Sequence, residues 1–182
     1  LFVSSTRVYG EDAGEWVDEA TDARPADEQG RVMRAAEKLL LDSPHRVTVV
    51  RFAGIYGRLP SALLDRVARG ELCPPVPLLY SNRIHRDDCI GFLEHLLTRV
   101  AAPAPIYLGV DDLPVPRYEV ERWLAGQLGV AAAPGAADRR GAAVRGKRCR
   151  NEGLRGSGYR LLFPDYRAGY EEVLRRRATG PG

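Results

Sequence analysis

Residues 3 to 10, VSSTRVYG, place Ser4, Ser5 and Thr6 directly behind a short apolar run and finish on Val8-Tyr9-Gly10. Hydroxyls suit a ligand crevice, because in an open α/β sheet the carboxyl ends of the strands face the groove where ligands bind. The other chemistry-bearing types are sparse. Cys73, Cys89 and Cys149 are an odd number without CxxC spacing, which implies neither a disulfide framework nor a zinc site. Free structural thiols in a reducing compartment are the expectation. His45, His85 and His95 show neither HxxxH nor HxxE spacing, so no metal is assigned. His85, beside Asp87 and Asp88, is expected to start and cap a helix, Tyr9 to be a packed structural aromatic, and Arg51 to pack or pair inside the fold.

The elements that must position these groups follow from periodicity. Residues 1 to 4 read as the end of a buried strand, and an acidic loop rich in breakers runs from Glu11 to about Glu28. From Gly30 to Leu41 the apolar residues Val32, Met33, Ala36, Leu39 and Leu40 recur at helical spacing, and Ser43-Pro44 ends the helix. RVTVVRFAGIYG, residues 46 to 57, begins as a β-branched run of the kind buried on both faces of a parallel sheet. Strand, loop, helix and strand make a βαβ crossover of ordinary length. A helix over about 61–69, an irregular proline-rich stretch over 71–83, a helix in HRDDCIGFLEHLLTRV, a strand in PIYLGV and a helix over about 117–128 continue the pattern. Residues 131 to 146 read as a mobile loop. A helical turn, an extended piece around Leu161 to Phe163 and a final helix complete the chain.

The composition fits one ordinary globular unit: 182 residues, 45% of them hydrophobic. No apolar run is long enough to span a bilayer and no signal-peptide pattern opens the chain, so a soluble cytoplasmic protein without membrane partners is expected. The net charge of +3 is mild and carried almost wholly by arginine, with Lys38 and Lys147 the two lysines. Together with the Ala, Gly and Pro content this reads as the coding bias of a GC-rich genome rather than a selected basic surface. Arg139, Arg140, Arg145, Lys147, Arg148 and Arg150, then Arg175 to Arg177, form a local basic cluster. Without interleaved aromatics it reads as a solvated face, and no nucleic-acid partner is expected.

SSTRVYG, a helix ending AEKLL, the strand VVRFAGIYG, NRIHRDD and YLGVDD occur in that order. Together they resemble the extended short-chain dehydrogenases, the NAD(P)-dependent epimerase/dehydratase family, over nearly the whole chain. The resemblance implies an α/β fold: the C-terminal portion of a Rossmann-type parallel sheet with helices on both faces, plus a small α/β substrate-side region. Residues 1–130 would be a partial NAD(P)-binding domain, and 131–182 a C-terminal substrate-side segment intertwined with it. The family's GxGxxG turn, expected roughly 100 residues before SSxxVYG, is not in the sequence, so the chain reads as N-terminally truncated, with exposed apolar edges that make it aggregation-prone on its own.

By the same resemblance, Ser5 is the catalytic hydroxyl that polarises the substrate oxygen. Phe52, Ala53 and Gly54 lie near the nicotinamide of NAD or NADP, and Thr6, Arg83 and His85 meet a small-molecule substrate. Ser81 stands where the family's diphosphate-holding Arg would be. The family's acid/base pair is YxxxK followed by Glu four residues on; here Glu37 closes the pattern, Gln29 takes the Tyr position and Met33 the Lys position. Neither replacement titrates, and the pattern as a whole resembles the family's atypical branch, in which the Tyr and Lys are replaced. Three functions follow: an oxidoreductase-like protein acting on a sugar-nucleotide-like or carbonyl/alcohol substrate, as a homodimer in its full-length form; a non-catalytic NAD(P)- or nucleotide-binding module that has lost the Tyr/Lys pair; and a basic nucleic-acid-binding domain.

Overall fold

In a computed structural model the described residues are 1–131, 133–134 and 143–179. Most of the expected loop at 131–146, with Arg139 and Arg140, lies outside them. The element order is β1 (Phe2–Ser5), β2 (Trp16–Val17), α1 (Glu28–Leu41), β3 (Val49–Phe52), β4 (Gly54–Tyr56), α2 (Ala62–Ala68), β5 (Glu71–Leu72), β6 (Leu78–Ser81) and β7 (Arg83–His85). It continues with α3 (Arg86–Thr98), β8 (Ile106–Gly109), β9 (Val115–Pro116), α4 (Arg117–Gln127), β10 (Ala133–Pro134), β11 (Val144–Arg145), β12 (Arg148–Cys149), α5 (Glu152–Gly156) and α6 (Tyr166–Thr179).

The central sheet is three parallel strands in the order β1-β3-β8, with Phe2 opposite Val49 opposite Ile106, and Ser5 opposite Phe52 opposite Gly109. All four residues of β3 are buried, as its β-branched run requires. Gly109 lets the Phe52 ring lie flat on β8, where a Cβ would collide with it. The expected strand over 46–57 is two strands: β3 ends at Phe52, and β4 moves off to pair with β7 through Gly54 opposite Arg83. The chain switches partners at Ala53, whose N–H donates to Gly109 O at 3.1 Å while the next N–H, of Gly54, goes to Asn82 O at 3.2 Å.

Helix α1 begins two residues before Gly30 because Asp27 caps it, its Oδ1 accepting from Gly30 N at 2.8 Å. Gly30 is required there by close approach: a Cβ would sit 2.8 Å from the Arg7 carbonyl oxygen. The stretch over 71–83 contains β5 and β6, and the acidic loop contains β2. The expected extended piece at Leu161 to Phe163 forms no strand; the fully buried Asp88 of α3 accepts from Leu162 N at 2.7 Å and Phe163 N at 3.0 Å instead. Among the described residues the second edge of β1 pairs with nothing, and Val3 is 50% exposed.

One buried ion pair joins β1, α1 and β3. Glu37 on α1 is fully buried, and Arg51 on β3 meets it in a fork, Nε to Oε1 at 2.9 Å and Nη2 to Oε2 at 2.7 Å. Ser4 of β1 donates to the same Oε1 at 2.5 Å. Arg51 Nη1 donates to the Tyr9 hydroxyl at 2.6 Å, which donates to Asp18 O at 2.7 Å. Burial pushes the Tyr9 phenol up to about 12, with Arg51 pulling the other way. Charges this deep are tolerated only when each keeps its partners.

At the carboxyl end of β8, Asp111 is 2% exposed and its Oδ1 accepts from Leu113 N at 3.2 Å, while Oδ2 has no partner. Burial raises its carboxyl to about 7, with the Arg83 guanidinium opposing.

Two predictions follow from these buried groups. Glu37→Gln removes the charge but not the shape, leaving Arg51 unpaired; chemical denaturation should show a loss of about 3 kcal/mol. Adding Arg51→Met should cost less than the sum of the single changes, and strict additivity would refute a coupled pair. For Asp111, the folded protein holds a proton that the unfolded chain releases near pH 4, so its contribution to stability falls as pH rises from about 4 through 7, by up to about 4 kcal/mol. Asp111→Asn keeps an acceptor for Leu113 N. Thermal melts should show its advantage over the parent growing from pH 5 to pH 8, and a constant difference would refute the assignment.

Candidate functional site

At the carboxyl edge of the central sheet Ser5 stands opposite Phe52 and Phe52 opposite Gly109, and the chain then leaves through Ala53 for β4, where Gly54 pairs with Arg83. Ser5 is half-buried and caps a 3-10 turn over Thr6–Val8, its Oγ accepting from Arg7 N at 3.2 Å. That bond uses an acceptor lone pair and leaves the hydroxyl proton free to donate toward the crevice. Thr6 is buried beneath the turn. Arg7 then reaches Asp27, the α1 cap, with Nε 2.8 and 3.0 Å from the two carboxylate oxygens. Both side chains are half-exposed, so the pair positions more than it stabilises.

Helix α1 therefore starts against the turn that follows Ser5. Gln29 is exposed on its first turn. Met33, one turn on, is half-buried and packs against the cluster of Val8, Tyr9, Val17, Leu108, Val110 and Cys149. Neither position offers a titratable group. Tyr9 does not replace them, because its phenol points inward to Arg51 and holds its proton at neutral pH.

Phe52 is 3% exposed and offers the crevice its backbone only. Ala53 is half-buried and packs against the cluster of Val8, Tyr9 and Cys149, and Gly54 is exposed and carries no side chain. A glycine-rich cradle for a dinucleotide pyrophosphate is not found among the described residues.

Arg83 and His85 are both buried. Arg83 is 7% exposed, with Nη2 on Ser81 Oγ at 2.5 Å and its guanidinium 5.6 Å from the Tyr166 ring centre. His85 is fully buried between Tyr56 and Phe163. Its Nδ1 accepts from Asp87 N at 3.2 Å, which caps α3 and puts the ring proton on Nε2. Burial lowers its pKa, so the ring is neutral at pH 7.

Two groups at this edge were not singled out by sequence reasoning. Lys147 donates from Nζ to Tyr9 O at 2.7 Å, and the Asn82 side chain holds the backbone on both sides of Arg148, donating to Lys147 O at 2.9 Å and accepting from Cys149 N at 2.7 Å. The available signal was a lysine where arginine is otherwise used throughout the tail.

The described arginines of the basic cluster are engaged. Arg145 pairs with Asp12, Arg175 and Arg176 with Glu172, and Arg177 with Asp65. Arg148 is stacked between Trp16 and Tyr80. A cavity of about 540 Å³ lined by Asp112, Arg155, Tyr159 and Arg160 lies on the α5 side, away from Ser5 in sequence and topology.

No described group of histidine, cysteine and acidic side chains could hold a metal ion, and no helix among the described residues is long and apolar enough to cross a membrane.

No protein-family model matches the chain, and no curated protein matches it. Solved structures do. A protein of Methylobacillus flagellatus described as an NAD-dependent epimerase/dehydratase superimposes with a TM-score of 0.82 at 35% identity, over 96% of this chain and 62% of that one. A conserved protein of unknown function from Silicibacter pomeroyi gives 0.82 at 30% identity, over 95% and 64%. The human epimerase family protein SDR39U1, solved with NADPH, gives 0.76 at 20% identity, over 96% and 64%. The chain thus spans under two thirds of the length of these structures, and its fold is that of the corresponding part of a Rossmann-like epimerase/dehydratase: α/β, with parallel strands and helices.

Proposed function

We propose that the chain is the carboxyl-side part of an atypical NAD(P)-dependent epimerase/dehydratase-family oxidoreductase, whose remaining N-terminal part carries the glycine-rich turn for the dinucleotide pyrophosphate. The observation that carries this is the register of Ser5, Phe52 and Gly109 across an all-parallel sheet, which puts the Ser5 hydroxyl at the carboxyl ends of the strands. The unpaired edge of β1 and the likeness to proteins of greater length support the missing part. When bound, the nicotinamide supplies or accepts hydride. Ser5 donates to the oxygen of a carbonyl/alcohol or sugar-nucleotide-like substrate, with Phe52, Ala53 and Gly54 on the nicotinamide side. Residues 1–130 serve the cofactor side and 131–182 the substrate side.

A second function is favoured by one observation: Met33 is packed into the core and Gln29 is non-titrating, so α1 brings no acid/base. On that view the crevice binds NAD(P) without turnover.

The experiment that separates them uses the protein expressed with the residues encoded upstream of Leu1. NADH and NADPH titrations followed by nicotinamide fluorescence should show binding, and hydride transfer should be detectable with a panel of carbonyl and sugar-nucleotide substrates. Ser5→Ala should then lower kcat about 10- to 100-fold while the dinucleotide Kd stays within twofold. Binding without turnover on any substrate leaves the non-catalytic function, and absence of dinucleotide binding overturns both.

A further inference from the structure

Lys147 brings a cation to the end of the turn that Ser5 caps, a charge that α1 does not provide. Lys147 Nζ sits on the Tyr9 carbonyl, which follows Ser5 by one 3-10 turn, about 8 Å along the chain at roughly 2 Å per residue. The lysine is half-buried, yet among the described residues only one of its three N–H donors is used, and no described carboxylate forms an ion pair with it. Asp12, which feels the Lys147 charge, accepts from Arg145 and from Gly146 N, and one oxygen of Glu11 is buried without a hydrogen-bond partner.

The backbone around Lys147 is held firmly. Gly146 adopts φ +74° and packs so close to the Tyr80 carbonyl that only glycine fits. Arg148 N donates to Glu15 O at 2.7 Å and Arg150 N to Val17 O at 2.9 Å, while Asn82 bonds the backbone of Lys147 and of Cys149. Side chains fixed in advance lose little freedom when a ligand arrives. An ammonium with spare donors gains most from a negatively charged oxygen.

The geometry points to Lys147 as the residue with which the Ser5 crevice holds an anionic phosphate oxygen of its ligand, the positive charge coming from the segment before β12 rather than from α1. This rests on the proposed dinucleotide and sugar-nucleotide chemistry, which offers such oxygens on either the cofactor or the substrate.

The test exploits the chain having two lysines. In the protein expressed with its upstream residues, amine acetylation followed by peptide mass spectrometry reads Lys147 against the exposed Lys38 in the same sample. At matched ionic strength, inorganic pyrophosphate should slow Lys147 at least fivefold and leave Lys38 within twofold. Protection by NADPH as well assigns the oxygen to the dinucleotide; protection by pyrophosphate and UDP-glucose but not by NADPH assigns it to the substrate. Lys147→Gln can still donate to the Tyr9 carbonyl. It should keep the melting temperature while weakening pyrophosphate binding about tenfold, and Lys147→Arg should restore it. An unchanged Lys147 rate with every probe, or an unchanged pyrophosphate Kd in a folded Lys147→Gln, overturns the inference. Failure of NADPH to bind, with pyrophosphate still protecting Lys147, removes the proposed function and leaves the anion contact standing.

Discussion

The fork between Arg51 and Glu37 is the constraint on which the sheet edge depends. It spans β3 and α1, accepts Ser4 from β1 and extends through Tyr9 to the carbonyl of Asp18. Each charge is stable in the interior only because the other is there in the right orientation, so the pair fixes the rotation of α1 as well as its distance. Once Glu37 is pinned inward, Met33 one turn earlier turns toward the same core and Gln29 falls at the exposed start of the helix. The position of every residue along α1 follows from one buried carboxylate.

The same logic builds the crevice from distant pieces of chain. Parallel strands cannot be joined by tight turns, so Ser5 and Phe52 come together only through the α1 crossover. The side facing Tyr9 is closed by a segment almost 140 residues later, through the Lys147 contact, the β2–β12 pairing and the Asn82 clamp. Asn82 also accepts from Gly54 N, which couples the switch of strand at Ala53 to the segment bearing Lys147. A shift of either would be felt by both walls of the site.

How much of this was legible in the sequence depends on the range of the interaction. Helix α1 and the buried run of β3 were readable, because periodicity and β-branching report local burial. The break at Ala53 was not: VVRFAGIYG looks continuous, and only the competing bonds to Gly109 O and Asn82 O divide it. Two-residue strands such as β2 and β12 carry no period to detect. Leu161 to Phe163 has strand-like composition, yet a buried Asp88 takes two of its N–H groups and bends it away from a ladder. Likewise Lys147 was one more member of a basic cluster until the fold put it on Tyr9.

Glu37 shows why motif loss and fold loss are separable. Within the YxxxK-plus-Glu pattern that the chain resembles, the glutamate has a structural task here that Gln29 and Met33 do not share: it is fully buried and forked to Arg51. Replacing it strands a buried guanidinium, a cost of several kcal/mol against a total stability of the order of 10. Replacing a solvent-facing residue at 29 costs almost nothing, and a thioether at 33 gains packing against Val8 and Leu108 where a lysine would have to carry its charge out to the crevice. The helix can therefore shed its acid/base pair without moving, and the charge balance of the site is then free to be set by whichever segment reaches the carboxyl edge. The segment before β12 does so here with Lys147.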